Sequence, residues 1–525
     1  MRSPVSYHLP QSTFSHFLAA PSKLWFTILG MLGLAVYPRQ IVRVFPSKPG
    51  VLALGQSKGR SRIQDEDEAD GWQGVEGERR EMSLNEWVGE NVPSLRGTFT
   101  PAWWLPNGHL QTVYSVFGDF TKIDQVHYSR TYLRVPDGGT LALDFTPSNH
   151  ETLPPDTPTL VVCHGLTGGS HESYVRNVLS WAARPASEGG LGVRAVVVNF
   201  RGCAGVPVTS PQLYSAGTTL DLATSLHYLR HHFPTSPLHG MGFSLGASVL
   251  ARYIGETSFL CLLSSGMVLG CPWDVPGMSI KLESHFLTRK IYSEAMARNL
   301  LHMFFGHYDV NPGIFERDES PVKHVLPVLK KYRAKPNGIS LKDVDDVMVC
   351  KVGGPRREGM FPFENADAYY AWASSEQFIG GVKRPLLSIN AFDDPICDGR
   401  TLPITSISSS SHVYLAITGS GGHLGWFDGK GDKTRWILKP IQEFLLAATR
   451  DLSVDGKNVE VVSGDESGGA NGNGNGNGNG NGEGGAGWEW VVDPAHEMVG
   501  RVGWRVMKEG EIVAGEEGEG VLQGL

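Results

Sequence analysis

The pentapeptide at residues 242–246 (Gly-Phe-Ser-Leu-Gly) places Ser244 where a serine can act as a nucleophile. The residues before it, 238–241, are short and strand-like, and those after it, 247–254, are apolar at helical spacing. A strand, a sharp turn and a helix are the context that such a serine needs, because the flanking glycines let strand and helix approach closely. We therefore predict a catalytic serine; the alternative is an ordinary tight turn.

A serine hydroxyl needs a base, and in this arrangement an acid and then a histidine follow the serine along the chain. The apolar run 385–392 ends in Asp393 and Asp394, which indicates a buried strand entering a loop. We favour Asp394 as the acid, because the acid of such triads commonly stands two positions before an aliphatic residue, here Ile396. Asp393 is the alternative, and a turn rich in Asp and Pro without a catalytic role also fits.

His423 is the predicted base. The apolar stretch 413–418 gives way to a glycine-rich loop, 419–425, that carries this single histidine. It stands 29 positions after Asp394 (423 − 394) and next to a strand end, where the third member of the triad belongs. The chain has 18 histidines, so the position matters more than the residue type.

An ester-cleaving serine also needs two backbone N–H donors for the negative oxygen that forms during attack. We expect one from Leu245, the residue after the serine. The other should come from the loop at 164–170, which follows the strand-like run 159–163, and Leu166 is its favoured donor. A phosphate-binding loop is the alternative, but no lysine follows in the required register.

Six further stretches carry a pattern known from one protein family. They are 101–112 (Pro-Ala-Trp-Trp-Leu-Pro-Asn-Gly-His-Leu-Gln-Thr), 164–170, 199–205, 214–222, 390–395 and 421–425. Together with the pentapeptide they resemble the YheT-type α/β-hydrolases, which include the mammalian ABHD one-to-three lipases and the yeast medium-chain fatty acid ethyl ester synthase/esterases. The resemblance runs from about Phe99 to about Leu446.

The resemblance implies a catalytic triad of Ser244, Asp394 and His423 and no cofactor or metal. It implies a serine esterase or lipase acting on medium-chain acyl esters and, as in fungal members, alcohol O-acyltransfer from acyl-CoA. The predicted partners are therefore an acyl ester or acyl-CoA, an alcohol and a lipid surface. A non-catalytic lipid-binding or scaffold protein on the same fold is the alternative from another class.

The elements that must position these residues follow from the hydrophobic pattern. We predict strands near 132–135, 141–145, 159–163, 194–199, 239–243, 266–269, 386–390 and 413–417, with helices between the later ones. This alternation predicts an α/β fold whose central sheet is mostly parallel, with helices on both faces. Between about 274 and 381, apolar residues recur four or five apart, which indicates a helical lid inserted before the strand of the acid.

The composition limits the other function classes. A net charge of −8 argues against a nucleic-acid partner, which usually requires a basic face. Six scattered cysteines have no metal-binding spacing and favour a reducing, intracellular compartment. The 525 residues are enough for one large core with extensions at both ends.

The extensions define the predicted domain organisation. Residues 1–56 are a leader whose apolar run, 24–37, is shorter than the roughly 20 residues of a spanning helix. We interpret this run as a shallow membrane anchor; a disordered apolar leader or a targeting segment is the alternative. Residues 57–82 are predicted to be a charged linker, with a solvated helix face as the alternative, and 83–448 the catalytic domain. Residues 449–487, with six Asn-Gly pairs, are a flexible linker, and 488–525 are a small appendage of unknown role.

Overall fold

The computed structural model describes residues 39–54, 61–62, 72–73, 80–356, 360–429, 433–452, 461–464, 487–491 and 502–508. Its strands are β1 (Val42–Val44), β2 (Val51–Leu54), β3 (Ser61–Arg62), β4 (Trp72–Gln73), β5 (Arg80–Ser83), β6 (Ser129–Arg134), β7 (Thr140–Thr146), β8 (Thr159–Cys163), β9 (Arg194–Asn199), β10 (Leu238–Phe243), β11 (Ser265–Leu269), β12 (Leu386–Ala391), β13 (Val413–Thr418), β14 (Val461–Gly464), β15 (Trp488–Val491) and β16 (Gly503–Val506).

One twisted sheet organises the fold, with strand order β1-β13-β12-β11-β10-β8-β9-β7-β6-β16-β15-β14. Its centre, from β13 to β9, is parallel, and the strands on either side run antiparallel. The parallel strands are buried along their whole length, as expected for near-continuous Val, Ile and Leu runs covered on both faces. The prediction of a mostly parallel α/β-hydrolase sheet is confirmed, and the eight predicted strands correspond to β6–β13.

Helices cover both faces of the sheet and enclose a core on each. They are α1 (Leu84–Asn91), α2 (Gly108–Phe117), α3 (Ser173–Ala182), α4 (Leu220–His232), α5 (Leu245–Thr257), α6 (Val275–Ser284), α7 (Phe286–Thr288), α8 (Glu294–Val310), α9 (Gly313–Glu316), α10 (Leu326–Ala334), α11 (Leu341–Val344), α12 (Cys350–Val352), α13 (Ala366–Ala373), α14 (Ile404–Ser409) and α15 (Leu438–Asp451).

Between β11 and β12 the chain forms a helical insertion, α6 to α13, where the sequence predicts a lid. Two single turns of π-helix interrupt it, at Arg289–Ser293 and Asp345–Val349. The insertion has its own apolar core, in which Phe304 of α8 packs against Phe315 at 4.9 Å between ring centroids. It therefore folds as a compact layer above the carboxyl ends of the parallel strands.

Strands from outside the predicted catalytic domain complete the sheet at both sides. β1 pairs antiparallel with β13 (Val42 opposite Ile417), and β16 pairs with β6 (Val506 opposite Leu133). These strands fall within the predicted leader and the predicted appendage, and the domain boundaries themselves stay predictions. The apolar run 24–37, most of the charged linker and the Asn-Gly tract lie outside the described residues.

Among the residues that the structure describes, every helix is too short or too polar to cross a bilayer.

Candidate active site

Ser244 stands in the sharp turn between β10 and α5. Its backbone has φ 51° and ψ −121°, a strained conformation for a residue other than glycine. The flanking glycines permit this turn. A Cβ on Gly242 would lie 2.6 Å from the Cα of Ala247, and one on Gly246 would lie 2.4 Å from the carbonyl oxygen of Cys163. The turn therefore presents a half-buried hydroxyl at the end of the sheet, as the pentapeptide predicts.

A chain of hydrogen bonds links Ser244 to His423 and Asp394. The Oγ of Ser244 lies 2.7 Å from Nε2 of His423, and Nδ1 of the same ring lies 2.8 Å from Oδ2 of Asp394. The other carboxylate oxygen of Asp394 accepts from the backbone N–H groups of Ile396 (2.8 Å) and Cys397 (2.9 Å). Histidine and aspartate are both buried, so the acid has a single orientation toward the imidazole.

Asp393, the alternative acid, points elsewhere. Its Oδ1 accepts from the backbone N–H of Gly422 at 2.9 Å, and its backbone oxygen abuts Gly108, where a Cβ would come within 1.9 Å. Burial, reinforced by the charge of Asp394, raises the pKa of Asp393 to about 7. Asp393 thus holds the loop of the histidine, and Asp394 holds its ring.

The loop at 164–170 lies against Ser244. A Cβ on Gly165 would approach the Cβ of Ser244 to 3.4 Å, so the predicted donor Leu166 follows directly after a point of contact with the serine. Leu245 is the first residue of α5, and the first N–H groups of a helix have no partner within the helix. Leu245 thus follows Ser244 directly in the chain, and Leu166 follows Gly165, which contacts the serine. The role of both residues as oxyanion donors stays a prediction.

His164 fixes the start of this loop. Its Nε2 accepts from the N–H of Phe200 (3.1 Å), so the ring is neutral and Nδ1 donates to the oxygen of Gly165 (2.7 Å). Burial lowers the pKa of His164 to about 4, which keeps this arrangement over the physiological range. A buried histidine that bonds the backbone on both sides acts as a brace for the loop.

The far end of the loop is held by Asp144. Its carboxylate accepts from Arg130 (2.6 Å), from the hydroxyl of Ser170 (2.5 Å) and from the amide of Asn199 (2.8 Å). The same Asn199 accepts from the backbone N–H of Ser170 at 3.0 Å. Asp144, Ser170 and Asn199 are thus bonded to one another. The loop cannot shift without breaking several of these hydrogen bonds.

One face of α2 positions the histidine loop, a role that the sequence pattern did not reveal. Gln111 donates to the oxygens of Leu105 and Phe427 and accepts from the N–H of Phe427 (2.8 Å). Thr112 accepts from the N–H of His423 at 2.8 Å, and Ser115 donates to Leu424. The stretch 101–112 carries the family resemblance, but only the fold brings it against residues some 310 positions later.

Asp394, Cys397 and His423 also place potential metal-ligand atoms within 4.8 Å of one another. The histidine and the aspartate are bonded to each other, and the thiol of Cys397 donates to the oxygen of Gly270 at 3.3 Å. Burial raises the pKa of this thiol well above its usual value, which disfavours the thiolate that a metal requires. The donor set fits a triad better than a metal site.

The helical insertion meets the site through apolar side chains. Three half-buried side chains pack against both the core of the sheet and the core of the insertion. They are those of Leu166, of Leu245 and, in α8, of Met303. The sulfur of Met303 lies 3.8 Å from that of Cys203. Apolar side chains of the sheet and of the insertion therefore meet next to Ser244, at Leu245.

Comparisons with known proteins identify the family of this chain. Residues 160–382 match the model of the alpha/beta hydrolase family. A monoacylglycerol lipase of Saccharomyces cerevisiae is 32% identical over 422 residues, which cover 73% of this chain and 88% of the relative. The medium-chain fatty acid ethyl ester synthase/esterase 2 of the same yeast is 27% identical, covering 70% of this chain and 90% of the relative. The human phospholipase ABHD3 is 26% identical, covering 66% and 78%.

The identity to the yeast lipase extends over nearly the whole length of that relative, so the likeness is not confined to the pentapeptide and its turn. The chain belongs to the α/β-hydrolase family, in the ABHD group that these lipases and esterases represent.

Proposed function

We propose that the protein is a serine carboxylic-ester hydrolase, an esterase or lipase that acts on medium-chain acyl esters through an acyl-enzyme. The observation that carries the proposal is the hydrogen-bonded series Ser244, His423 and Asp394 at the turn after β10. Nucleophile, base and orienting acid are in contact in the order that acyl transfer requires.

In the first half-reaction, Oγ of Ser244 attacks the ester carbonyl while its proton passes to Nε2 of His423. Asp394, bonded to Nδ1, fixes the tautomer and stabilises the imidazolium. The N–H groups of Leu166 and Leu245 hold the oxyanion of the tetrahedral intermediate. The intermediate collapses when the imidazolium donates its proton to the leaving alcohol, and the acyl group stays on Ser244.

In the second half-reaction, His423 takes a proton from water, which attacks the acyl carbonyl. The bond from the acyl carbon to Oγ of Ser244 then breaks, His423 returns the proton to Oγ, and the acid is released. An alcohol in the same position would give a new ester instead. The ethyl ester synthase/esterase among the relatives supports this acyl transfer. We propose acyl-CoA as a further acyl donor. Incubation with acyl-CoA and ethanol tests it: an ethyl ester product supports transfer, and free acid alone contradicts it.

The substrate proposal depends on the surroundings of the serine. Leu166, Leu245 and Met303 offer an apolar surface suited to an acyl chain. The names of the yeast lipase and of the human phospholipase support a lipid ester as the substrate class. The six cysteines are free and buried, which supports an intracellular location. A lipid ester as the substrate supports an enzyme that acts at a lipid surface.

The test is labelling by a fluorophosphonate probe beside turnover of a medium-chain ester, with wild type, Ser244→Ala and His423→Ala compared. Ser409→Ala, at an exposed serine that ends α14, is the matched control. We expect labelling and turnover to be lost in both triad variants and kept in the control. A folded wild type that is neither labelled nor active would contradict the proposal and favour a non-catalytic lipid-binding protein.

A further inference from the structure

Large apolar side chains are exposed together on two neighbouring elements beside the site. On α2 they are Leu110 and Phe117, and in the segment that joins α6 to α8 they are Phe286, Leu287 and Ile291. Phe286 is 80% exposed. Ile280 of α6 extends the set, and Trp103 is exposed just before α2. A soluble protein seldom exposes so many large apolar groups close together without a partner.

On α2 the exposed groups share one face of the helix. Leu110 and Phe117 stand at i and i+7. The half-buried Tyr114 lies between them at i+4, and Trp104 packs edge-on against it at 4.7 Å between ring centroids. The opposite face carries Gln111 and Thr112, which hold the loop of His423. One helix thus presents hydrocarbon outward and supports the histidine inward.

The second element is a helical hairpin, residues 275–293, formed by α6, α7 and the first π-helical turn. The hydroxyl of Thr288 donates to the oxygen of Leu282 at 3.1 Å and closes the bend. Tyr292 joins the hairpin to α2, because its hydroxyl lies 2.9 Å from Nδ1 of His109 and the two rings stack. This contact places the exposed groups of the two elements on neighbouring parts of the surface at the edge of the site.

The ion pairs of the hairpin turn their positive members outward. Lys290 is 48% exposed while its partner Glu294 is 5% exposed. Arg289 is likewise more exposed than Glu283, although it also faces Asp343, which is as exposed as the arginine. Beside the hairpin, Arg400 is more exposed than Asp398, the carboxylate that also pairs with Lys281 of α6. Solvent around the apolar groups therefore meets Lys290 and Arg400 more than it meets their carboxylate partners.

The outer helices of the same insertion do not share this asymmetry. Arg333 and Asp309 are equally exposed, at 50% and 49%, and Asp367 is more exposed than its partner Lys342. Among the ion pairs described in the insertion, those whose cation is clearly the more exposed member therefore lie at the hairpin.

We propose that this area docks the protein on the surface of a lipid bilayer that contains anionic lipids. We name it the docking face and define it by Leu110, Phe117, Ile280, Phe286, Leu287 and Ile291. Apolar groups enter the boundary between headgroups and acyl chains, and the surrounding cations meet the lipid phosphates and carboxylates. The inference rests on the proposed function, because such docking would bring a lipid ester to the mouth of the site.

The position of the hairpin supports this role. Nζ of Lys281 lies 3.6 Å from Oδ2 of Asp398, four residues after the acid of the triad. A bilayer that contacts the hairpin would therefore lie over the end of the sheet where Ser244 is presented. Phe259 is also exposed, but it precedes β11 and lies at the opposite ends of the parallel strands.

The test is sedimentation of the full chain with phosphatidylcholine vesicles, with and without phosphatidylserine. We expect Phe286→Ser to lower the fraction bound about tenfold, because a large apolar group is lost from the interface. Phe259→Ser, an equal change at the opposite end, should bind as wild type does. Circular dichroism and thermal unfolding of both variants show that each remains folded.

The charges are tested separately. The double variant Arg289→Gln, Lys290→Gln should lose about tenfold or more in binding to vesicles with phosphatidylserine and change little with phosphatidylcholine alone. The matched double variant Lys330→Gln, Arg333→Gln removes two cations from α10 and should leave binding unchanged. Equal losses in the two double variants would contradict a specific docking face.

Turnover separates this inference from the proposed function. With a short, water-soluble ester, Phe286→Ser should be as active as wild type, and with a long-chain ester in vesicles its activity should fall with its binding. If Phe286→Ser and Phe259→Ser bind alike, docking occurs elsewhere, for instance through residues 24–37, and the inference is wrong. A wild type without activity on the soluble ester would instead refute the proposed function while vesicle binding is still measured.

Discussion

The edge of the sheet that carries the site and the helical insertion above it are held together in different ways. At the sheet edge, buried polar side chains bond the backbone of each loop, as Gln111 and Asn199 do. In the insertion, aromatic and aliphatic groups around Phe304 provide most of the contacts. Hydrogen bonds fix direction and distance, whereas apolar contacts fix mainly shape and volume.

The difference indicates where positional accuracy is needed. A triad works only when its atoms keep hydrogen-bond geometry, so each of its loops has its own polar brace. A layer that covers an acyl chain needs hydrocarbon and some freedom to rearrange, and turns of π-helix such as Arg289–Ser293 often mark functional segments of this kind. Substitutions in the two regions should therefore differ in what they damage.

The largest effect is expected at the two adjacent aspartates. Asp394→Asn should lower kcat by about 10⁴, because the amide favours the wrong tautomer of His423. Asp393→Asn keeps an oxygen for the N–H of Gly422 and should lower kcat by less than about tenfold. Steady-state kinetics on a soluble ester decide between them; an inverted order would make Asp393 the acid of the triad.

An intermediate effect should separate stability from activity. Phe304→Ala removes a fully buried ring from the core of the insertion and should lower the free energy of unfolding by about 3–5 kcal/mol. Because the braces of the triad stay intact, kcat on a short soluble ester at low temperature should change little.

Gln111→Leu should affect kcat more, relative to stability, than Phe304→Ala does. It removes the side-chain partner of the oxygen of Leu105 and of the N–H of Phe427, while the oxygen of Phe427 still accepts from the N–H of Ala102. We expect a cost of about 2–3 kcal/mol and a looser histidine loop. We expect kcat to fall more than it does in Phe304→Ala. Denaturant unfolding measures the loss of stability, and steady-state kinetics measures the loss of kcat. If the ratio of these two losses is the same in Gln111→Leu and in Phe304→Ala, the contrast between the regions is refuted.

The smallest effect concerns pH. Burial raises the pKa of Asp393 from 3.8 to about 7, so the folded protein holds this proton more tightly than the unfolded chain does. Stability from this group is present below about pH 4 and falls as the pH rises toward 7. Asp393→Asn should remove that slope and be more stable than wild type at pH 8 by about 1 kcal/mol or more. Parallel unfolding curves for both proteins would contradict this.

The sequence predicted the parts whose signal is local. The strands β8 to β13 follow from continuous apolar runs, and the elbow at Ser244 follows from glycines that the turn requires. Asp393 and Asp394 could not be separated firmly, because both follow β12 and only the course of the loop decides which one faces the imidazole. The braces Gln111 and Asp144 were missed, since each acts on residues distant in sequence.

The short strands outside the predicted catalytic domain have a further consequence. Without β1 and β16, the outer sides of β13 and β6 would present rows of unpaired N–H and C=O groups, which readily pair with strands of another chain. A protein trimmed to residues 83–448 would lose both covering strands and keep the residues of the site. The trimmed protein would therefore self-associate through the uncovered edges of its sheet. The resulting loss of activity could be mistaken for a defect of the catalytic residues.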